Sequence, residues 1–588
     1  MARSTQTKAV AALCAAILSL CSPGFARIIY VDDDANTPGD GSSWQKAYKY
    51  LQDALADAND SEKPIEIRVA QGTYKPDPGA GRKTGNVEAT FRLINGVAVR
   101  GGHAGLAGVD PNARDIDRYE SILSGDLGDD DPDMSESWDH IYRPGRNSIT
   151  VVTGSGIDAS AVLDGFTVRG GYYPILDDRI NPNNPPPPTG SGGGMNNLRG
   201  SPTVIGCTFI GNMSFGAGGG MCNEGGSHPT VIDCAFIRNY AHFGGGGAVA
   251  NSGNSNPTFT RCTFTENSAW NQGGGVYNRK SGPTFDGCAF IRNSTESKYG
   301  SRGGAVYDEE STCTWTDCMF VENNTSSSGG AICSLDHNSL FLERCTFIGN
   351  SAETGAAIAG SRDSSLVMIA CTLSQNVAHG SAGAVSLGGP VKIADRRFSG
   401  NSCQGSGGAA DVRAATFTNC LFTGNRAFEP VQVQQGIGVP ALGGAVHTGG
   451  SIEPLFFINC TFAENRAGYG SAVSTDKPTE FRNCILRGPA PLIWADPYEP
   501  QPQVAYSDVE GGWLGAGNSD MDPFFAAPGY WADPNDPNHP GDPNDPNSVW
   551  MDGDYHLKSQ AGRWDLGSQQ VLLRRAGLRD HDGRRYQW

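Results

Sequence analysis

Two short runs of aspartate are the residues of this sequence best suited to bind a metal ion. The first run spans 32–34, and the second begins at residue 126. The carboxylates of the second run are Asp126, Asp129, Asp130 and Asp131. Loops rich in carboxylate oxygens hold Ca²⁺ in extracellular proteins, although neither run has the spacing of an EF-hand loop. We therefore name the second run as the candidate Ca²⁺ site, although a solvated acidic loop is the more common explanation of such a run.

A second acidic group has the composition of a carbohydrate-cleaving site. Such chemistry needs paired carboxylates, or Ca²⁺ with a basic proton acceptor, on one solvent-facing surface. Asp308, Glu309 and Glu310 follow a GGAVY segment, and Asp336 and His337 follow the next related block. In earlier copies this position is an amide, at Asn197, Asn223, Asn251 and Asn278. We favour a structural polar ladder with acidic variants, and we assign no catalytic and no cofactor-binding residue.

The elements that position these residues follow from a repeated motif, [C/R]-x-[F/L]-x-x-N. Its ten copies begin at Cys207, Cys234, Cys262, Cys288, Cys318, Cys345, Cys371, Arg396, Cys420 and Cys460. The starts lie 24 to 30 residues apart, except for 40 between the last two. A weaker copy begins at Cys484, where Pro489 replaces the asparagine. A period of this size indicates one small unit stacked many times, which is a solenoid.

One copy of the repeat predicts short strands joined by tight turns. Cys262 and Phe264 share one face of a strand, whereas Phe259 has the opposite parity and requires a bend near 260–261. Asn267 follows where residues that tolerate the left-handed conformation turn the chain. Three strands and three turns in about 25 residues make one coil of a parallel β-helix. A β-propeller is the alternative, but its blades need roughly 40 residues or more.

Stacking such coils about 4.8 Å apart aligns equivalent residues in columns. We expect the cysteine and phenylalanine columns to fill the core. In the asparagine column each side-chain amide can donate to the asparagine of the next coil. Parallel cysteine side chains would keep their Cβ atoms about 4.8 Å apart, farther than the roughly 3.8 Å of a disulfide. We therefore predict a mostly reduced cysteine ladder, and no Cys-x-x-Cys pair completes a zinc site.

The FxxN motif paired with GG[A/V/I] resembles the repeats of chlamydial polymorphic membrane proteins. These repeats fall within the right-handed parallel β-helix superfamily, which includes pectate lyases. The resemblance covers roughly 190–490 and implies a right-handed coil and an exported surface protein. No motif distinctive of pectate lyases or polygalacturonases is evident, so no catalytic residue is transferred from them.

Aromatic residues in neighbouring coils are a further hint of a binding surface. They are Trp270, Tyr277, Tyr299, Tyr307 and Trp315. Aromatic faces stack on sugar rings through apolar contact. Some of these side chains will belong to the core, so a glycan platform is one hypothesis among several.

The flanks of the repeat divide the chain further. An amphipathic helix is predicted over 42–59, with Ser42 and Gln45 as a capping box, and it would cover the open end of the solenoid. Insertions at 172–190 and 429–442 interrupt the period, and an Asp-Pro-Asn tract at 533–547 is expected to be a solvated linker rather than a strand. We predict a signal peptide (1–26), an N-terminal cap and early coils (27–170), the repeat β-helix (171–490), a C-terminal closing region with an Asp-Pro-Asn-rich linker (491–570) and a basic tail (571–588).

The net charge and the N-terminal residues limit the possible functions of the protein. Arg3 and Lys8 precede an apolar run that is too short to span a bilayer, which predicts a cleaved secretory signal and a secreted or cell-surface protein. The formal charge of −18 excludes typical nucleic-acid binding. We predict an all-β, single-stranded right-handed parallel β-helix with an N-terminal capping helix, acting as a non-catalytic surface, adhesin-like or structural protein. A polysaccharide lyase, a hydrolase or a glycan-binding protein is the alternative, with a polysaccharide or cell-surface glycan as partner.

Overall fold

The computed structural model describes residues 27–35, 39–131, 146–172, 192–298, 300–428, 441–449, 453–545 and 547–558. The predicted signal peptide and basic tail, most of both insertions, and Tyr299 lie outside the described residues. No helix within the described part has the length and hydropathy needed to cross a membrane.

The predicted parallel β-helix is confirmed, and the main sheets run along its axis. Strands at the first position of the repeat coils are Met195–Leu198, Met221–Glu224, Val249–Ser252, Val276–Arg279, Val306–Glu309, Ile332–Leu335, Ile358–Gly360, Val446–Thr448, Val473–Thr475 and Ile493–Ala495. Those at the second position are Thr203–Ile205, Thr230–Ile232, Thr258–Thr260, Thr284–Asp286, Thr312–Thr316, Ser339–Glu343, Ser365–Ile369, Leu455–Ile458, Thr479–Arg482 and Gln503–Ala505.

Strands at the third position are Thr208–Ile210, Ala235–Ile237, Thr263–Thr265, Ala289–Ile291, Met319–Val321, Thr346–Ile348, Thr372–Ser374, Thr461–Ala463, Ile485–Arg487 and Asp508–Val509. Two long strands, Val385–Ser399 and Ala410–Thr423, run through all three positions of their coils. Strands at each position pair in parallel with the same position one coil on, as in Phe236 with Phe264.

A fourth short strand, which the repeat did not predict, follows the asparagine turn. These two-residue strands are Met213–Ser214, Tyr240–Ala241, Ser268–Ala269, Ser294–Thr295, Ser351–Ala352, Val377–Ala378, Ser402–Cys403 and Arg426–Ala427. They pair between coils because the turn leaves their backbone amides parallel to those of the neighbouring coil, as where Ser268 N donates to the Asn239 carbonyl at 3.0 Å. The coil therefore has four strands rather than three.

Two turns in each coil use the left-handed conformation. Arg261 has φ of +52°, which produces the predicted bend between the strands that carry Phe259 and Phe264. The second such residue is Glu266, with φ of +55°, and not Asn267 as the sequence suggested. The residue before the asparagine takes the unusual conformation because the asparagine side chain must point into the interior.

The interior consists of stacked columns. Successive rings of Phe209, Phe236, Phe264, Phe290, Phe320 and Phe347 lie 4.4 to 5.1 Å apart and nearly parallel. The cysteine column is buried beside them along the repeat. All fourteen described cysteines are buried and unbridged.

The predicted asparagine ladder is confirmed over ten coils. Its members are Asn212, Asn239, Asn267, Asn293, Asn323, Asn350, Asn376, Asn401, Asn425 and Asn465. Each Nδ2 from Asn212 to Asn425 donates to the next Oδ1, and all ten donate to a backbone carbonyl of the preceding coil, as Asn323 does to Phe290 at 2.9 Å. One side chain thus connects three coils.

Early coils use the strands Arg27–Val31, Ile65–Ala70, Gly72–Tyr74, Phe91–Arg92, Val97–His103, Ser121–Ser124, Val152–Thr153, Val162–Asp164 and Thr167–Arg169. The capping helix is shorter than predicted and spans Leu51–Asp60, after a 3₁₀ turn at Trp44–Lys46. Helix formation fails before Leu51 because the Tyr48 backbone pairs with the first strand, accepting from Asp32 N at 2.9 Å and donating to the Tyr30 carbonyl at 2.9 Å. The helix still buries Leu51 and Leu55 against the first coils.

The Asp-Pro-Asn tract at 533–547 contains a strand, Asp536–Pro540, where its composition predicted none, although none of its described residues is buried. Antiparallel strands form at Phe525–Ala527, Tyr530–Asp533, Asp536–Pro540, Val549–Met551 and Asp554–Leu557. Arg426 of the β-helix donates to the carbonyls of Asp545 and Ser548, at 2.8 and 2.9 Å, and its guanidinium lies 4.1 Å from the Trp531 ring. These contacts hold the proline-rich segment against the side of the solenoid.

Candidate functional site

Three of the four predicted calcium ligands are brought together. Carboxylate oxygens of Asp126, Asp130 and Asp131 all lie within 4.8 Å of one another. The loop folds around Asp126, which accepts from the backbone amides of Gly128, Asp130 and Asp131 at 3.2 to 3.4 Å. The donor set is all carboxylate oxygen, which suits Ca²⁺.

Asp129 does not join this cluster. Its backbone adopts φ of +55°, and its carboxylate pairs with Lys75 Nζ at 2.6 Å. The cluster also contacts Asn147, whose Nδ2 donates to Asp131 Oδ2 at 2.7 Å. The predicted set of four therefore separates into three grouped carboxylates and one surface ion pair.

The first aspartate run forms a second cluster of three carboxylates within 4.8 Å. Asp32 accepts from the backbone amide of Leu106 at 2.7 Å, and Asp33 accepts from that of Thr73 at 3.0 Å. Burial raises the pKa of both carboxyls above the usual range. A bound cation would offset that burial by favouring the ionised carboxylates.

The acidic residues considered for catalysis are not assembled on one surface. Asp308 is fully buried and continues an inner ladder by accepting from Asn278 Nδ2 at 2.7 Å. Burial raises its pKa to about 6. Asp336 and His337 instead lie in an exposed turn with positive φ. Glu309 accepts from the Tyr277 hydroxyl at 3.1 Å.

The aromatic residues singled out by the sequence have different locations. Trp315 is in the core, stacked 4.0 Å from Phe285, and Tyr307 is buried beside Cys333. Trp270 is 39% exposed and lies 5.9 Å from His242, between ring centroids. Some of the five therefore belong to the core, as expected, and Trp270 belongs to the group described next.

An aromatic patch is formed by Phe215, His242, Phe243 and Trp270, and the sequence analysis had identified only the last. The centroid of Phe215 lies 4.7 Å from those of both His242 and Phe243. The sequence does contain a regularity that points to this patch: Phe215, His242 and Trp270 each lie three positions after a ladder asparagine. That these three side chains contact one another becomes clear only from the way in which the coils stack.

Polar groups border the aromatic patch. Glu296, in the next coil, accepts from the Tyr240 hydroxyl at 3.2 Å and from Ser268 Oγ at 2.9 Å. The Tyr240 hydroxyl also lies 3.3 Å from His242 Nδ1. Burial lowers the pKa of His242, so its imidazole is uncharged at neutral pH. The patch thus joins exposed rings to a carboxylate held in place by two hydroxyls.

A further polar column was also missed. Asp411, His447 and Ser474 pair in register on consecutive coils, next to Lys477. Burial raises the pKa of Asp411 and lowers those of His447 and Lys477. These are the residue types of nucleophilic catalysis, but Ser474 is fully buried. The insertion before His447 hid this alignment in the sequence.

Comparison with known proteins gives one family match. A model described as "Right handed beta helix region" matches residues 141–290, 191–363 and 303–488. A solved structure titled "Crystal structure of pectate lyase Pel9A" is similar at 11% identity, covering 92% of this chain and 91% of that chain, with a TM-score of 0.23. A similarity of this size carries no argument about function. No curated protein matches the sequence.

Proposed function

The chain belongs to the right-handed β-helix family, and from that premise we propose that it is an exported, non-catalytic module of the cell surface or its surroundings, adhesin-like or structural in role. Export is supported by the basic residues Arg3 and Lys8 ahead of a short apolar run. The resemblance of the FxxN and GG[A/V/I] blocks to polymorphic membrane protein repeats supports a surface role. The formal charge of −18 suits a soluble extracellular protein.

The observation that carries the non-catalytic part of this proposal is the position of Asp308. It is one of the acids considered for catalysis, yet its side chain is fully buried, out of reach of a polymer, and accepts a hydrogen bond from Asn278. A general acid or base must reach the proton that it transfers. The carboxyl therefore contributes to the ladder and not to a surface reaction.

The ladder and the ring stacks also suit a display or structural role. Every step between Asn212 and Asn465 is closed by a side-chain hydrogen bond, so the shaft has few ways to bend locally. A rigid shaft holds surface groups of different coils at fixed spacing. Such spacing favours multivalent adhesion over a closing active site.

A carbohydrate-active enzyme is the second candidate, and one observation favours it. Asp411, His447 and Lys477 lie close together with shifted pKa values, which is common at catalytic sites. His447 has a lowered pKa and is thus neutral at neutral pH, as a general base must be.

Assays of the purified full-length protein distinguish these candidates. Acidic and neutral polysaccharides are incubated with it, with and without Ca²⁺, and chain ends are quantified. We expect no cleavage. Cleavage that disappears in His447→Ala, and persists in the exposed-histidine control His337→Ala, would establish the enzyme instead.

Export is tested by expressing the chain with and without residues 1–26 in a bacterial host. The full chain should leave the cytoplasm and carry a new N-terminus near residue 27. A cytoplasmic product that keeps its first residues would refute export.

A further inference from the structure

We propose that the aromatic patch of Phe215, His242, Phe243 and Trp270 binds the apolar face of a neutral hexopyranose glycan. This inference rests on the proposed surface role and names a partner class for it. The patch extends over three consecutive coils on the outside of the β-helix.

The patch offers the kind of surface that sugar rings bind. Phe243 is 44% exposed and Trp270 is 39% exposed, while Phe215 is buried beneath them. His242 lies between these rings, 4.5 Å from Phe243 and 5.9 Å from Trp270. Exposed aromatic faces on a rigid support provide large apolar contact area at low cost in side-chain entropy.

The fold does not require aromatic residues at these positions. In the following coils, the third residue after the ladder asparagine is Glu296, then Ser326, then Glu353. Those coils keep the same ladder and the same pairing of the strand that precedes it. Rings occupy this column in three consecutive coils, those of Asn212, Asn239 and Asn267, whereas the later rings of His379 and Phe428 are separated from them and from each other by coils with other residues. The three consecutive rings therefore serve a local purpose rather than stabilising every coil.

Glu296 supplies the polar part of the site. Its carboxylate is exposed and accepts from Tyr240 and Ser268, which fix its orientation beside the rings. A carboxylate oriented in this way can accept hydrogen bonds from sugar hydroxyls while the rings cover the sugar face. Apolar stacking combined with a few fixed polar groups is the usual composition of a ligand site.

Charge selects among sugars. Glu296 is negative, the chain carries a formal charge of −18, and the imidazole of His242 is uncharged at neutral pH. A uronate polymer would bring a further negative charge next to Glu296 without a compensating cation in the patch. The surface therefore favours neutral over acidic glycans.

Binding of the full-length protein to soluble neutral oligosaccharides of glucose, galactose and mannose tests the inference, with polygalacturonate as the acidic counterpart. Calorimetry is run on wild type, Trp270→Ala, Phe243→Ala and Glu296→Gln. We expect at least one neutral probe to bind, and each ring deletion to weaken binding by about tenfold. Glu296→Gln should cause a smaller loss, because the amide keeps one acceptor.

Tyr498→Ala is the matched control, since Tyr498 is 96% exposed at the other end of the solenoid. It should bind like wild type, and all variants should keep the wild-type unfolding temperature within a few degrees. The inference is overturned if no neutral probe binds, if both ring deletions bind like wild type, or if polygalacturonate binds more tightly. Cleavage of a bound probe would instead overturn the non-catalytic proposal and leave the binding inference intact.

Discussion

Asn278 Nδ2 donates to Asp308 Oδ1 at 2.7 Å, where the inner polar ladder changes from an amide to an acid. The three preceding steps, from Asn197 to Asn278, are amide to amide at 2.8 Å. Asp308 Oδ2 is buried and, among the described residues, has no hydrogen-bond partner. This carboxyl is therefore the point at which pH acts on a ladder whose preceding members are neutral amides.

Asp308→Asn should stabilise the protein above pH 6. The folded pKa of about 6 exceeds the unfolded value of 3.8, so the folded state binds the proton more tightly and loses stability as pH rises through this window. The difference corresponds to about 3 kcal/mol at pH 7.5, and an asparagine should recover about 1–3 kcal/mol of it. Denaturant unfolding at pH 4.5 and pH 7.5 measures the change.

His103 has the opposite effect on the pH dependence of stability. Burial lowers its pKa to about 4, so the folded protein loses stability as the pH falls below 6.5. His103 is present in the wild type and in the Asp308→Asn variant, so its contribution cancels in the difference between their free energies of unfolding. The exposed control Asp336→Asn should leave the pH dependence unchanged. An Asp308→Asn protein with wild-type pH dependence would contradict the assignment.

Asn323→Leu should destabilise the shaft severely. The side chain accepts from Asn293 N and Nδ2 and donates to the Phe290 carbonyl and to Asn350 Oδ1, all at 2.9 to 3.0 Å. Leucine would leave these buried groups without partners, at a cost of about 3–5 kcal/mol. Asn465→Leu, at the end of the ladder, should cost less in the same chemical denaturation. Equal losses at the two sites would argue against ladder cooperation.

Arg396→Cys should increase the free energy of unfolding. Arg396 occupies a cysteine position in register with Cys420, is 2% exposed, and has no hydrogen-bond partner for its guanidinium among the described residues. Burial lowers its pKa to about 10. Replacing a buried unpaired charge with the residue of the column should gain about 2–4 kcal/mol. Arg397→Cys is the control, and it should not stabilise, because Arg397 pairs with Asp552 at 2.9 Å.

The cysteine column should be reduced in the purified protein. Thiols along the column donate to buried carbonyls, as Cys262 does to Val231 at 3.5 Å, and burial raises the pKa of Cys234, Cys460 and Cys484. Titration of denatured, unreduced protein should find close to fourteen free thiols, and native protein should react slowly. Recovery of almost no free thiol would reject the prediction.

Calcium should bind at Asp126, Asp130 and Asp131 and raise the unfolding temperature. Asp126→Asn should remove the effect, because the loop amides converge on that carboxylate. Asp129→Asn is the matched control and should retain it, since Asp129 pairs with Lys75. If Ca²⁺ produces neither heat in calorimetry nor a shift in the unfolding temperature, the residues form a solvated acidic loop and not a Ca²⁺ site.

The repeat alone determined the columns. Cysteine, phenylalanine and asparagine recur at fixed offsets, and a parallel coil places equal offsets in line, so the ladder from Asn212 to Asn465 could be predicted before any coordinates. The bend at Arg261 followed for the same reason, since Phe259 and Phe264 have opposite parity and both must be buried.

Only the tertiary structure decided what depends on contacts between distant segments or on side-chain direction. Arg426 binds a segment more than a hundred residues later, and the strand Asp536–Pro540, within a tract whose composition alone favoured a linker, pairs with Tyr530–Asp533. Asp129 leaves the acidic cluster because Lys75 lies within reach. The aromatic patch, likewise, depends on how turns of unequal length stack. The repeat spacing determines which residues share a column, whereas contacts between distant segments, which the spacing does not encode, determine which surfaces pack together.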